Sequence, residues 1–114
     1  MSECLFCRIV SGEIAADVVA ESEDWVAFRD VNPQAPSHIL IVPRRHIATL
    51  DDLTHADAPL MGALVAAAVG IARDERLVDG GYRLAVNCGA GAGQSVFHIH
   101  LHLLGGRRFS WPPG

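Results

Sequence analysis

The 114-residue chain has no lysine; its nine basic residues are all arginine. That absence excludes a phosphate loop built around lysine and any chemistry that needs a lysine Schiff base. Cysteine is scarce as well: Cys4, Cys7 and Cys88 are too few, and odd in number, for the disulfide framework of a small secreted domain. No long apolar run is present. The most apolar uncharged stretch, Ala58 to Ala72, falls short of the roughly 18 residues that a bilayer span needs. The chain does not open with a basic segment followed by an apolar one, so no secretory signal is expected and a cytoplasmic location is the default. A basic balance is missing too. With 13 acidic residues against nine basic ones the net charge is −4, which argues against a protein that coats nucleic acid. It leaves room for a single nucleotide, whose phosphate needs only a local site.

What remains is ordinary globular material, 50% hydrophobic and 19% charged. A chain of this length buries roughly two-thirds of its unfolded surface, enough for one core and one domain over 1–114. Leu5, Phe6, Ile9 and Val10 stand at helical spacing before Gly12, predicting a short opening helix over 3–11. Val18–Glu21 and Trp25–Arg29 are β-prone runs around Ser22-Glu23-Asp24, a hairpin pattern, and His38–Val42 is an apolar strand closed by Pro43. Thr54-x-x-Asp57 reads as a capping box, or Asp57 as the cap with Pro59 in the first turn, ahead of a long helix that Asp79-Gly80-Gly81 ends. Strands are expected at Tyr82–Asn87 and Val96–Leu104, separated by a glycine-rich loop. Five short strands with hairpin-length links and two helices point to an α+β fold on an antiparallel sheet.

Chemistry concentrates at the end of the chain. His98, His100 and His102 alternate with Ile99, Leu101 and Leu103, and on a strand this places three imidazoles on one face, about 6.6–6.8 Å apart. Two chemistries compete for them. Two imidazoles could hold a metal, or one could be a nucleophile oriented by a neighbour. Imidazole is partly neutral at pH 7 and attacks phosphorus well, and the phosphoimidazolium it forms is readily hydrolysed. Gly89, Gly91, Gly93, Gln94 and Ser95 stand just before the histidines and suit a phosphate held by backbone N–H groups. The loop is not of the dinucleotide-binding kind, because a strand and not a helix follows it.

His98-Ile-His-Leu-His-Leu-Leu104 resembles the His-φ-His-φ-His-φ-φ signature of the histidine triad nucleotide-binding proteins. Gly93-Gln-Ser-Val-Phe-His98 leading into it, and Leu104-Gly-Gly-Arg107 and Trp111-Pro-Pro-Gly114 after it, are similar to the Hint branch of that family. Phe28-Arg-Asp30-Val-Asn-Pro33-Gln-Ala-Pro-Ser-His38 and Ile41-Val-Pro-Arg-Arg-His46 match upstream blocks, so the resemblance covers nearly the whole chain. It implies a five-stranded antiparallel sheet with two helices, joined in a homodimer into a ten-stranded sheet. It implies hydrolysis of substrates in which a purine nucleoside monophosphate, usually AMP, is linked through phosphorus to an amine or another leaving group. By resemblance His100 is the nucleophile, His102 bonds the phosphate and helps protonate the leaving group, and His38 supports it. Gly93, Gln94 and Ser95 would hold the phosphate, Asn87 would contact the nucleotide, and Asp30 would accept the ribose hydroxyls. Leu5, Phe6, Ile9, Phe28 and Val31 would form the slot for the base.

No cofactor is needed for that chemistry. Cys4, Cys7, His46 and His98 match the positions at which some bacterial relatives hold a structural zinc, two thiolates and two imidazoles. A redox pair is the alternative for Cys4-x-x-Cys7, without a βαβ context to support it. Cys88 reads as a small buried residue and His55 as a solvated group near a helix start. A dinucleoside polyphosphate hydrolase, which the Trp111-Pro-Pro-Gly114 ending argues against, and a nucleotide-binding regulatory module are the alternative functions. Neither nucleic acid nor membrane is an expected partner.

Overall fold

Serine builds the first turn. Ser22 Oγ accepts the N–H groups of Asp24 and Trp25 at 3.1 and 3.3 Å, and the flanking runs pair antiparallel as β1 (Val18–Glu21) and β2 (Trp25–Arg29). The computed structural model describes residues 3–114. Strand β3 (Ser37–Pro43) pairs with β2, and the sheet is completed by β4 (Tyr82–Ala85) and β5 (Leu101–Gly105), in the order β1-β2-β3-β5-β4, antiparallel throughout. Helices α1 (Leu5–Val10) and α2 (Ala58–Asp74) make this the α+β fold read from the sequence.

The unbroken apolar run of β3 follows from its central place, because it is covered on both faces. Ile39 and Ile41 pack with Leu64, Ala68, Ile71 and Ala72 of α2 and with Leu101 and Leu103 of β5. Leu40 and Val42 point the other way, into a smaller cluster with Phe6, Val26 and Phe28. His102 lies opposite Leu40 in the β3–β5 register, so it shares the second face with His38.

Four expectations are corrected. Helix α2 ends at Asp74, not at Asp79-Gly80-Gly81. The helix closes with Arg76 in the left-handed region (φ 59°) and Leu77 N–H bonded back to Ala72 C=O at 2.9 Å. Leu77, 6% exposed, is drawn into the core, and this apolar anchor ends the helix without a glycine. Strand β5 begins at Leu101 and not at Val96. Its partner β3 stops at Pro43, which has no N–H to give the ladder, and Ile99 N–H bonds instead to Ile47 C=O at 2.8 Å. Strand β4 likewise stops at Ala85 and not at Asn87. Cys88 is exposed and not buried.

The Thr54–Asp57 box is present, but it closes a single 3₁₀ turn (His55–Asp57) ahead of α2; the Asp57 carboxylate accepts Thr54 N–H at 2.9 Å and pairs with Arg45. With that turn counted, His55–Asp74 is long and apolar enough to cross a membrane by length and composition. In this fold one face of the helix is buried against the sheet.

Candidate functional site

Between α1 and the second face of the sheet lies a cavity of about 650 Å³, the size range of small-molecule sites. One wall is apolar, with Leu5, Phe6 and Ile9 from α1, Phe28 from β2, and Val31 at the mouth. Phe6 and Phe28 meet edge to face at 5.5 Å and belong to the second core as well, so the wall is stiff. The other wall carries Asp30, Ser95, His100 and His102. All five residues read as the base slot therefore share one cavity with two of the three histidines read as catalytic. His38 sits directly behind His102.

Hydrogen bonds assign the protons on these rings. His100 Nδ1 lies 2.8 Å from the carbonyl oxygen of His98; a carbonyl only accepts, so Nδ1 carries the proton and Nε2 holds the lone pair of the neutral ring. His38 Nδ1 accepts the backbone N–H of Gln34 at 3.0 Å, which leaves its proton on Nε2. That nitrogen is 2.9 Å from His102 Nδ1 and 3.4 Å from Asp30 Oδ2. His102 therefore receives at Nδ1 and presents its own proton at Nε2. Burial, followed by the neighbouring His100 and His38, pushes His102 down to about 4, with Asp30 opposing. Burial also lowers His38, against the pull of Asp30. Both rings are neutral at pH 7 in the free protein. Asp30 is itself fixed by Asn32 N–H on Oδ1 at 2.9 Å.

The loop residues divide. Ser95 lines the cavity. Asn87, Gly93 and Gln94 are not among its lining residues; Gln94 is buried, and Asn87 packs against Gly93, its Nδ2 3.7 Å from where a Cβ would stand. Gly93 has φ +100°, a conformation that favours glycine. The 14–16 segment and Val96 also line the cavity and leave no mark in the sequence, because neither carries chemistry of its own. The carbonyls of His98 and Pro43 and the N–H of Gln34 also escaped notice, since any residue type supplies them.

His98 belongs to a second group. Its Nε2–H donates to the carbonyl of Pro43 at 2.7 Å, so Nδ1 turns its lone pair toward Cys4 Sγ at 3.4 Å, Cys7 Sγ at 3.5 Å and His46 Nδ1 at 3.3 Å. Cys7 Sγ is 3.3 Å from His46 Nδ1, and all four donor atoms lie within 4.8 Å of one another. A tetrahedral zinc with ordinary bond lengths separates its donors by about 3.3–3.8 Å, so these residues fit such an ion. The Pro43 carbonyl would be the outer partner that orients a ligating imidazole. Asp30, His38 and His102 form another close group of possible ligands, but its two imidazoles are already joined by a hydrogen bond.

Known proteins share this fold. A HIT family hydrolase from Legionella pneumophila is 52% identical, with a TM-score of 0.96 over 98% of this chain and 100% of that one. A histidine triad protein from Clostridium difficile is 35% identical, with a TM-score of 0.93 over 96% of each chain. A HIT-like protein from the cyanobacterium Synechococcus elongatus is 48% identical over the full length of both chains. The family model described as HIT domain matches residues 11–109, and the chain belongs to that family.

Proposed function

We propose that the cavity binds a purine nucleoside monophosphate unit and that the chain hydrolyses substrates joining this unit, through phosphorus, to an amine or a related leaving group. The observation that carries the reading is the His100 ring, held by its Nδ1–H on the His98 carbonyl so that the Nε2 lone pair is free at a cavity with one apolar wall. Similarity to the HIT family hydrolase from Legionella pneumophila supports hydrolysis.

In this reading the base lies against Phe6, Phe28 and their neighbours, and Asp30 takes the ribose hydroxyls. His100 Nε2 attacks phosphorus, the bond to the leaving group breaks, and the ring becomes a nucleotidyl-imidazolium with Nδ1–H still on the carbonyl. His102 offers its Nε2–H to a phosphoryl oxygen or to the departing atom. The phosphate brings negative charge beside His102 and so favours its protonated form. Ser95 and loop N–H groups hold the non-bridging oxygens with donors already in place. Water then cleaves the nucleotidyl-imidazole bond and restores neutral His100. Quenched-flow mass spectrometry with an adenylated amine tests the reading, which requires an AMP adduct on His100. Faster turnover of a diadenosine polyphosphate would favour the neighbouring hydrolase branch, and AMP binding without turnover a regulatory module.

Two further parts of the reading concern assembly and metal. Cys4, Cys7, His46 and His98 would hold a structural zinc that supplies no step of the reaction and ties α1 to the His98 segment. A second copy would cover the outer face of α2 and the edge of β4. Gly62, Ala66 and Gly70 stand four apart on that helix, and a Cβ at either glycine would meet nothing within 4 Å among the described residues. A mid-helix glycine costs roughly 0.5–1 kcal/mol relative to alanine; a close approach from outside the chain gives it a reason. Val65 on the same helix is 45% exposed and β4 is an edge strand. Trp111, 82% exposed, would reach the partner's site or its rim. A two-fold homodimer with a ten-stranded sheet is the expected assembly, checked by light scattering.

A further inference from the structure

Gln94 lies beside Ser95, yet its side chain turns away from the cavity and is 3% exposed. Its carboxamide is spent inside the protein. Oε1 accepts Gly89 N–H at 2.8 Å, while Nε2 donates to the carbonyls of Ala48 at 2.8 Å and Val96 at 3.1 Å. These bonds join the start of the glycine-rich loop, the segment just after His46, and the residue that follows Ser95. Within the loop the backbone adds local bonds, Ala92 N–H and Gln94 N–H to the Gly89 carbonyl and Gly93 N–H to that of Ala90, at 3.0–3.1 Å, and the Gln94 carboxamide ties this turn to the segments around it. Ala90–Ala92 form one 3₁₀ turn with exposed residues, and a Cβ at Gly89 or Gly91 would meet nothing within 4 Å. An amide is the side-chain chemistry that offers one acceptor and two donors from the same rigid plane.

We infer that Gln94 is a positioning residue: it sets the loop and Ser95 against the phosphate without touching substrate, in contrast to the direct phosphate contact that the resemblance implies. The inference rests on the cavity being a nucleotide site. A displacement of about 1 Å in such a group costs on the order of 100-fold in rate.

The test uses Gln94→Glu, which sets a carboxylate against two carbonyl oxygens, and Gln94→Met, which keeps the bulk without burying a charge should the first variant unfold. Calorimetry with adenosine and with AMP is compared with turnover of an adenylated amine, at a temperature where circular dichroism shows a folded protein. The expected result is adenosine affinity within about twofold of wild type, AMP affinity lowered about tenfold, and kcat lowered about 100-fold. Adding Ser95→Ala to Gln94→Met should change little more, because the hydroxyl is already misplaced. A folded Gln94→Met protein with wild-type kcat and an unchanged ratio of AMP to adenosine affinity overturns the inference. An equal loss of both affinities overturns it too, since that marks a general loosening. Wild-type protein that binds AMP no better than adenosine and leaves the substrate intact overturns the functional reading, and the inference with it.

Discussion

The two faces of one sheet are built by the same strands and do different work. Toward α2, the residues Ile39, Ile41, Ile99, Leu101 and Leu103 meet Leu64 and Ala68 in a dry aliphatic layer. Toward α1, their neighbours His38, Leu40, His98, His100 and His102 meet Phe6 and Phe28 around an open cavity. Alternation along the backbone lets a 114-residue chain keep both. The first face holds the second in place: the nucleophile proposed at His100 needs an orientation that does not move, and the aliphatic layer one residue away supplies it.

Substitutions on the two faces should separate activity from stability. The largest effect is expected at His100. His100→Ala should lose roughly 10⁴-fold or more in turnover, keep AMP affinity within about tenfold, and melt near the wild-type temperature; an active His100→Ala protein would exclude the nucleophile assignment. On the opposite face Leu64→Ala should cost about 2–5 kcal/mol in denaturant unfolding, with kcat per folded molecule nearly unchanged. Zinc should be present at about one equivalent per chain in protein purified without added metal, and chelation should lower the melting temperature. Metal analysis below about a tenth of an equivalent, with unchanged melting of Cys4→Ser, would remove the metal from the account.

The cavity face should also answer to pH. His102 and His38 titrate below the ordinary histidine range in the folded protein, so between about 4 and 6.5 the unfolded chain binds more protons than the native one. Stability should fall as pH drops through that window, and His102→Asn should flatten the decline in thermal melts. Ser95→Ala should have the smallest effect, about 1–2 kcal/mol in kcat/KM for one lost hydrogen bond.

The sequence made the face assignments legible because they depend on side-chain type at a period of two. His98, His100 and His102 share a face as expected, although β5 takes up only the last of them. The Cys4, Cys7, His46 and His98 set was legible from resemblance, and the fold brings the four together. Roles that depend on backbone partners were hidden. Gln94 reads as a phosphate ligand until the carbonyls of Ala48 and Val96 are seen beside it. The end of α2 was also hidden, since it is set by the burial of Leu77 and not by the glycines that follow.

Leu77 has a consequence of another kind. A strand whose polar and apolar residues alternate strictly looks the same after sliding by two positions: histidines would still face the cavity and aliphatics still face α2. Nothing in the alternating pattern of 98–103 forbids such a slip. Gly105 does. A Cβ there would stand 2.7 Å from Leu77 Cδ1 and 3.0 Å from its Cγ, and Leu77 is held in the core. Sliding β5 by two would bring Leu103 or Arg107 to a place that only a bare backbone fits. One glycine and the leucine that closes a distant helix thus choose a single alignment among several equivalent ones, and with it which of three similar histidines stand at the cavity.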